Sequence, residues 1–526
     1  MRMMAMCVLY LTVSIGVVMA VGCGDTNGDD PTDVGFGDTV QDMGPADMDG
    51  FDTYDDTLAT DTGGGFDSGS DGGNDIVDSS GNADLGSLND GITTDTTVDT
   101  LDGGGDITVG PDTEESWDEA FDHVFPEDHV VSLTLQFAPG DWETLLSEWA
   151  TQELKNEFEA AFTFDDESLT SVGVRLKGLN SIGGAGQPGS PVYGKYPLKI
   201  DFNTFGGPRF HQVDEINLGV NISDPSLMRE RLAERVYAAM GVPSSRSAYG
   251  NVVINGNPVG LYTMVQVIDK RYLKERFGTA AHADDGNLYK CLHNGLDICS
   301  LKWRGDKKED YIQADGCLGG YEACGLVLKT NEDDATMNDY ADLITFLDVL
   351  NHTPDEQFAD VIPQVFDVDS FLRLTAVAMA TSNWDSYFGK GHNYYLYYRP
   401  DTQRFMMLPW DLDLTYEGPL CNPDPVGLEC WGPGERPLIQ RILNVPKFKD
   451  QYREYMKQLV EGPFTAETHA TWIAELNALL APLVGSDPNI ADTTSYFEQT
   501  DVSGKGEGSL LSFITTRQNE ILSALK

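Results

Sequence analysis

The sequence is poor in basic residues and has no long hydrophobic run. Its 526 residues include 34 Lys and Arg against 85 Asp and Glu, and neither Lys nor Arg occurs between Met3 and Leu154. This balance argues against a generic nucleic-acid binder, because an acidic surface repels a phosphate backbone. No apolar run reaches the roughly 20 residues that a membrane-spanning helix needs. The length allows more than one folding unit or one large domain.

The N-terminus has the pattern of an export signal. Arg2 precedes an apolar stretch over about residues 6–21, which is followed by Gly22-Cys23. A short apolar core with a small residue before a Cys resembles a bacterial lipoprotein signal, in which the Cys is lipidated. Ala20 stands where Leu is more usual, and an ordinary signal peptide cleaved nearby is the alternative. We predict a signal peptide over 1–23, lipidation of Cys23, and an exported, membrane-anchored lipoprotein at the cell envelope or surface.

Residues 24–117 consist largely of Asp, Gly, Thr and Ser. Of the 85 acidic residues, 25 lie between Gly24 and Glu115. So few large apolar side chains cannot offset the entropy of ordering the chain, and like charges extend it. The segment has no regular calcium-binding loop with a Glu at the twelfth position. We predict a disordered acidic tether that binds calcium weakly at most.

The cysteines of the body are even in number and include no C-x-x-C pair. In an exported chain this favours disulfides, whereas a zinc site is the weaker alternative because only His293 lies close. Short spacing favours a Cys421–Cys430 bond, and the other four cysteines are predicted to staple one stretch. The six disulfide candidates are Cys291, Cys299, Cys317, Cys324, Cys421 and Cys430.

The body begins near Asp118 and mixes strand and helix signals, which predicts an α+β fold. Alternating apolar residues predict strands, and the Asn255-Gly256 and 400–403 segments predict hairpin turns. Helices are predicted from Gly140 to about Phe158 and from Ser223, as the N-terminal cap, to Gly241. A glycine-rich loop is predicted over 178–189. The predicted strands cover residues 130–137, 171–177, 196–202, both sides of Asn255-Gly256, 393–398 and 404–408.

The order of these segments is that of a phosphoryl-transfer site. A glycine-rich loop precedes a strand with Lys199, and two separated carboxylates, Asp385 and Asp411, flank a later hairpin. Phosphoryl transfer needs a loop that covers the phosphates and a Lys that neutralises them. It also needs one carboxylate that orients the attacking hydroxyl, and a second carboxylate that holds the metal together with an amide oxygen. Asp385 and Asn393 are eight residues apart, which is longer than the usual catalytic loop.

A series of short motifs, in this order, resembles the spore-coat CotH family of atypical secreted kinases. The resemblance covers the body almost from end to end. The motifs are Arg175-Leu-Lys-Gly-Leu-Asn-Ser181, Lys195-Tyr-Pro-Leu-Lys-Ile-Asp-Phe202, Asn217-Leu, Asp224-Pro-Ser-Leu-Met-Arg229, Gly260-Leu-Tyr262, Asn383-Trp-Asp-Ser-Tyr387, His392-Asn-Tyr-Tyr-Leu-Tyr397 and Trp410-Asp-Leu-Asp413.

The resemblance implies a kinase-like two-lobed fold over 118–526 that binds ATP and Mg or Mn and phosphorylates Ser of a protein acceptor. Its expected parts are an N-lobe over about 118–270, a disulfide-rich insertion over about 285–330 and a C-lobe over about 335–526. The N-terminal signal and the acidic charge, rather than the resemblance, predict membrane contact only through the lipid anchor and no nucleic-acid partner. The implied site residues are Asp385 as catalytic residue, Lys199, Arg175, Lys177 and Ser181 at the ATP phosphates, and Asp411, Asn393 and Asp413 as metal ligands.

Four points stay open. Gln266 stands where the family leads us to expect Glu, and either Glu230 or Glu234 is a candidate partner for Lys199. Each site residue also has an ordinary structural reading, such as a turn or cap for Asp411. A non-catalytic cell-surface binding protein on the same fold is the alternative function, because ATP is scarce outside the cytoplasm.

Overall fold

The computed structural model describes residues 116–152, 155–178, 180–187, 190, 193–292, 297–314, 317, 323–417, 434–490, 493–503, 506 and 508–526. They belong to a compact unit that spans Gly104–Lys526. The predicted signal peptide, Cys23, residues 24–115 of the tether, and Cys421 and Cys430 lie outside the described residues. Among the helices described, none is long and apolar enough to cross a membrane.

Seven strands close into a barrel around an apolar core. They are β1 (Val130–Phe137), β2 (Phe158–Phe164), β3 (Glu167–Leu176), β4 (Leu198–Asp201), β5 (Glu215–Gly219), β6 (Ser247–Ile254) and β7 (Asn257–Gln266). The order is β1-β2-β3-β4-β5-β7-β6, and a parallel pairing of β1 with β6 closes the barrel. Alternate residues of β1, from Val131 to Phe137, are buried. This period of two is the pattern from which the strand was predicted.

Five further strands form an antiparallel sheet of order β12-β11-β8-β10-β9. They are β8 (Leu288–Leu292), β9 (Ile312–Gln313), β10 (Cys324–Leu328), β11 (Tyr394–Arg399) and β12 (Arg404–Pro409). The segment predicted as a disulfide-rich insertion therefore supplies three of the five strands. Disulfides join Cys291 to Cys299 and Cys317 to Cys324, which confirms the predicted stapling of this stretch.

Helices cover the remainder of the described body. In chain order they are α1 (Trp117–Val124), α2 (Asp141–Gln152), α3 (Asn180–Ala185), α4 (Arg229–Ala239), α5 (Lys270–Phe277), α6 (Ala341–His352), α7 (Asp355–Val365), α8 (Val368–Ala380), α9 (Pro437–Asn444), α10 (Pro446–Glu461), α11 (Ala466–Val484), α12 (Thr493–Gln499) and α13 (Leu510–Ala524). Helix α8 is apolar on nearly every side because it packs against α4, α10, α13 and β12. The predicted mixture of helices and strands is confirmed.

Both hairpins predicted from turn residues are present. Asn255 and Gly256 have φ values of 51° and 76°, which is the left-handed pair that a two-residue turn between twisted strands requires. Strands β6 and β7 flank this turn, and β11 pairs with β12 around residues 400–403. The turn chemistry was sufficient because both contacts are local in sequence.

Three local predictions were wrong. The helix that starts near Gly140 ends at Gln152, and Phe158 opens β2 instead. Part of the glycine-rich loop is the short helix α3. Ser223 does not cap α4, which begins at Arg229; the carboxylate of Asp224 accepts the Arg229 N–H at 2.9 Å and so takes the capping role. An Asp accepts such bonds better than a more distant Ser, because it also carries charge.

Candidate functional site

Asp385 lies in the segment that joins α8 to β11, and three neighbouring side chains hold it. One carboxylate oxygen lies 3.0 Å from Nε2 of His392 and 3.3 Å from Nζ of Lys390. The side-chain amide of Asn393 donates to the other carboxylate oxygen at 3.1 Å and to the backbone carbonyl of Asp385 at 2.7 Å. Asp385 and Asn393 are eight residues apart in the sequence, yet their groups are in direct hydrogen-bonding contact.

These contacts decide the charge of Asp385. Burial by itself would raise the pKa of this carboxyl, because less water stabilises the ionised form. The hydrogen bond and charge of His392, together with Lys390, outweigh burial and lower the pKa below its ordinary value. Asp385 is therefore an anion at neutral pH and a weak base, which suits a group that orients a hydroxyl.

Three carboxylates from two parts of the chain form a second group. Asp411 and Asp413 follow β12, and Glu230 lies in the first turn of α4; one oxygen of each lies within 4.8 Å of the others. The Leu412 N–H donates to Glu230 at 2.8 Å and ties the helix to this segment. Asp411 has a φ of 60°, a conformation that is uncommon for a residue with a side chain.

The chemistry of this group fits a hard divalent cation. Burial, and then the charges of its neighbours, raises the pKa of Glu230 and of Asp413 well above the ordinary values. The charge of Asp385 is among those that raise the pKa of Asp413, so the two carboxylates interact electrostatically. Crowded carboxylate oxygens are ligands that Mg²⁺ and Mn²⁺ prefer, and a bound cation would relieve their repulsion.

Lysines from both sheets face this acidic group. Lys177 follows β3 and its charge acts on Glu230, while Lys290 lies on β8 and feels the charge of Asp411. The two ammonium nitrogens lie 5.9 Å and 4.8 Å from the centre of the Trp410 ring. Burial, and then the neighbouring lysines 177, 199 and 329, lowers the pKa of Lys290 to about 7. Several cations close enough together to lower the pKa of Lys290 are typical of an anion-binding site.

Two of the predicted phosphate-binding residues lie side by side in the barrel. Arg175 of β3 and Lys199 of β4 are directly opposite in the antiparallel register, so their side chains share a face. Lys199 pairs with Glu215 of β5, and not with Glu230 or Glu234, the two partners that the sequence offered. Arg175 pairs with Glu157 at 3.3 Å. Both cations are thus held by carboxylates of the barrel itself.

Ser181 lies in α3 and is partly buried. Its side chain is within 4 Å of the position that a Cβ would occupy on Gly178, whose φ is 77°. The glycine conformation lets the chain leave β3 and turn into the helix. Ser181 is therefore near Lys177 in the chain, but no contact joins it to the acidic group in the described structure.

Lys290 and Lys329 were not predicted from the sequence. Lys290 lies on β8, inside the stretch that was predicted as an insertion, and Lys329 directly follows β10. Strands β8 and β10 pair antiparallel, and Lys290 lies opposite Val327, two residues before Lys329. The short, mostly apolar Leu288-Tyr-Lys-Cys-Leu292 run is consistent with a buried strand, but only the folded sheet brings Lys290 to Trp410.

Gln266 closes β7 and has two buried polar partners. Its amide oxygen accepts the Arg246 N–H at 3.0 Å, and its amide nitrogen donates to Glu275 at 2.6 Å. A Glu in this position would face the Glu275 carboxylate without a proton to donate. The local partner thus accounts for Gln where the family resemblance led us to expect Glu.

Comparison with known proteins adds independent information. A family model described as "CotH kinase protein" matches residues 174–521. The chain is 27% identical to the inner spore coat protein H of Bacillus subtilis over 56% of this chain and 74% of that protein. It is 25% identical to the invasin CotH2 of Rhizopus delemar, over 53% of this chain and 47% of the fungal protein. The chain therefore spans about half the length of that fungal relative.

Among solved structures, a complex of the toxin–antitoxin system HipA and HipB of Shewanella oneidensis with its operator DNA is similar in part. The match covers 59% of this chain and 57% of that chain, at 11% identity and a TM-score of 0.25. A score at this level carries no conclusion about fold or function.

Proposed function

The chain belongs to the CotH kinase protein family, and from that premise we propose that it is an exported phosphotransferase. It transfers phosphate from ATP, with Mg²⁺ or Mn²⁺, to a Ser of a protein acceptor. One observation carries the proposal: an ionised Asp385 acts by its charge on Asp413, which is one of three crowded carboxylates, and lysines from both sheets interact electrostatically with the same group. Phosphoryl transfer needs these charges together.

The proposed division of work follows from the charges. Asp385, held by His392, Lys390 and Asn393, accepts a hydrogen bond from the acceptor hydroxyl and aims it. Glu230, Asp411 and Asp413 hold the metal, with the amide oxygen of Asn393 as a further ligand. When bound, the metal neutralises charge on the transferred phosphate.

The remaining residues act on the triphosphate of ATP. Lys177, Lys199 and Lys290 balance the negative charge of the triphosphate, with Arg175 beside Lys199. Ser181 lies at the loop that covers the phosphates. With these assignments both sheets bind the triphosphate, because each sheet contributes part of the cationic surface.

The test is phosphate transfer by the full-length chain with radiolabelled ATP and Mn²⁺. We expect labelling of the chain or of an acceptor, and a loss of at least about 100-fold in Asp385→Asn and in Asp411→Asn. Asp348→Asn, on the exposed face of α6, is the matched control and should keep the full rate. Equal labelling by wild type and both site variants would refute the assignment.

The second candidate function is non-catalytic binding at a cell surface. The observation that favours it is the name of several fungal relatives, which are called invasins. Nucleotide binding separates the two candidates, because a ligand that binds the folded state raises its stability. A higher melting temperature with ATP and Mn²⁺ supports the kinase, and an unchanged melting temperature at millimolar ATP supports the surface ligand.

Spore-coat and invasin relatives and the two disulfides are consistent with an exported or surface protein. We propose in addition that lipidated Cys23 anchors it to a membrane and that residues 24–115 form its extended tether; the predicted boundary at 117 was too late, because Ser116 caps helix α1 and Trp117 opens it. Replacement of Cys23 by Ala should release the protein from the membrane fraction. Retention of Cys23→Ala in that fraction would argue against the lipid anchor.

A further inference from the structure

A second cluster of polar side chains lies at the far end of β3 from the candidate phosphate site. Its three members are His123, Glu167 and His211. Glu167 is the first residue of β3, whereas Arg175 lies about 26 Å further along the strand at the usual rise per residue. The cluster is therefore separate from the site of the proposed kinase reaction.

Both imidazoles of the cluster lie within hydrogen-bonding distance of the same carboxylate. Nε2 of His123 lies 2.7 Å from Oε1 of Glu167, and Nε2 of His211 lies 3.0 Å from Oε2. The ring centres of the two histidines are 4.0 Å apart. The three ligand atoms all lie within 4.8 Å of one another. Two imidazole nitrogens and one carboxylate thus lie together at one point of the barrel.

The chain is bent to bring His211 to that point. His211 and Gln212 have φ values of 45° and 64° between the bridged residues Phe210 and Val213. A tight turn of this type normally uses Asn or Gly, because a left-handed backbone strains other residues. Strain of this kind persists where the surrounding structure gains from the position of the side chain.

We propose that His123, Glu167 and His211 bind one divalent cation of the zinc type. Zinc takes imidazole nitrogen at about 2.0–2.1 Å and carboxylate oxygen at about 2.0–2.2 Å, which places its ligand atoms roughly 3.4 Å apart in a tetrahedron. The observed separations of 2.7 and 3.0 Å reach that spacing when the ligand atoms move apart by about 0.7 and 0.4 Å. The donor set of two nitrogens and one oxygen suits zinc better than Mg²⁺ or Ca²⁺.

The position of the cluster indicates what the cation does. His123 is in the last turn of α1, Glu167 starts β3, and His211 lies between β4 and β5. The cation would join three segments that are distant in sequence, and α1 is the first element of the described body. Side chains of His123 and Glu167 are 40% and 41% exposed, so water can supply the fourth ligand. The bound cation would therefore hold α1, which follows the proposed tether, against the barrel.

The experiment is zinc binding to the full-length chain after removal of metals with a chelator. Calorimetric titration with ZnCl₂ alone should reveal, besides any zinc held by Glu230, Asp411 and Asp413, a site that is at least tenfold weaker in Glu167→Gln. This variant keeps the size of the side chain and both imidazoles. His282→Ala removes an exposed histidine that also contacts an Asp, and it should bind zinc like the wild type. The control separates this site from zinc bound elsewhere on the acidic chain.

A spectroscopic readout identifies the ligands. Co²⁺ in place of zinc should give the strong visible absorption of a tetrahedral site in wild type and His282→Ala, and lose it in Glu167→Gln and His123→Ala. Circular dichroism checks that each variant is folded. Equal zinc affinity and equal Co²⁺ spectra in wild type and folded Glu167→Gln would overturn the proposal and leave a hydrogen-bonded cluster without metal.

Discussion

The side-chain amide nitrogen of Asn393 lies 3.1 Å from a carboxylate oxygen of Asp385 and 2.7 Å from its backbone carbonyl. One residue thus fixes both the rotamer and the main chain of the other. An Asn393→Asp variant should raise the pKa of Asp385, because two carboxylates would then share one place. We expect the phosphate-transfer rate at pH 7 to fall at least about tenfold and the acidic limb of the pH–rate profile to move upward.

A role for Asn393 purely as a metal ligand leads to a different result. Carboxylate binds Mg²⁺ or Mn²⁺ at least as well as an amide oxygen does, so Asn393→Asp would keep its metal affinity and its rate. Asn444→Asp, at the exposed end of α9, is the control for an added charge. An unchanged pH–rate profile in Asn393→Asp would show that the hydrogen bond to Asp385 is unimportant.

Lys290 is predicted to contribute to nucleotide binding, although the sequence predicts that its segment is an insertion in the kinase-like fold. Its ammonium group lies over Trp410 and close to the charges of Lys177 and Lys199. Replacement by Met removes a cation from the proposed triphosphate site and should raise the dissociation constant for ATP about tenfold or more, which is about 1.4 kcal/mol. Isothermal titration with Mn²⁺ and ATP measures this change.

The control for Lys290 is Lys457→Met, since Lys457 is exposed on α10. It alters the net charge by the same amount without touching the site. Lys290→Arg keeps the charge and should bind ATP better than Lys290→Met. The same dissociation constant in Lys290→Met and Lys457→Met would remove Lys290 from the nucleotide site.

Gln266→Glu is predicted to destabilise the fold. The buried amide that now donates to Glu275 would become a second carboxylate against the first, and both would be out of water. Arg246 and Arg276 already pair with Glu275, so a second carboxylate would have to share them. An added buried charge of this kind costs about 2–4 kcal/mol in the free energy of unfolding. Urea denaturation at pH 7.5 measures it. Gln357→Glu, exposed in the first turn of α7, serves as the control and should be nearly neutral, whereas equal stability of both variants would contradict the prediction.

His469 predicts a specific loss of stability in acid. Burial is the main cause that lowers its pKa to about 4 from the ordinary 6.5, and the Thr465 carbonyl opposes this in part. Below pH 6.5 the unfolded chain takes up a proton that the folded chain refuses, so stability falls as pH falls towards 4. Over this range one such group accounts for about 3 kcal/mol.

The His469 effect is separable from that of the many carboxylates. His469→Gln keeps an acceptor for the Tyr416 hydroxyl, which lies 3.2 Å from Nε2, but it cannot titrate. We expect its free energy of unfolding to fall less steeply than that of the wild type between pH 6.5 and 4. Parallel curves for the two proteins would show that His469 is not the titrating group.

The sequence by itself determined the features whose causes are local. Alternation of apolar residues predicts β1 and β3, and Asn255-Gly256 predicts its hairpin, because a strand face and a two-residue turn need only neighbours. The choice of Asp385, Asp411 and Asp413 also came from short motifs. The end of α2, the start of α4 and the helix α3 were not predicted correctly. At α4 the signal was local but was assigned to the wrong residue, because Asp224, five residues before Arg229, accepts the N–H that Ser223 was expected to cap.

Only the tertiary structure decided which charges meet. Glu230 joins Asp411 and Asp413 across 181 or more positions of chain, Lys199 turns to Glu215, and Lys290 reaches Trp410 from a disulfide-stapled strand. Sequence spacing cannot reveal such contacts, because the energy of a charge depends on its distance from other charges and from water. The same reason applies to His123, Glu167 and His211, which no motif links and which meet only when the barrel closes.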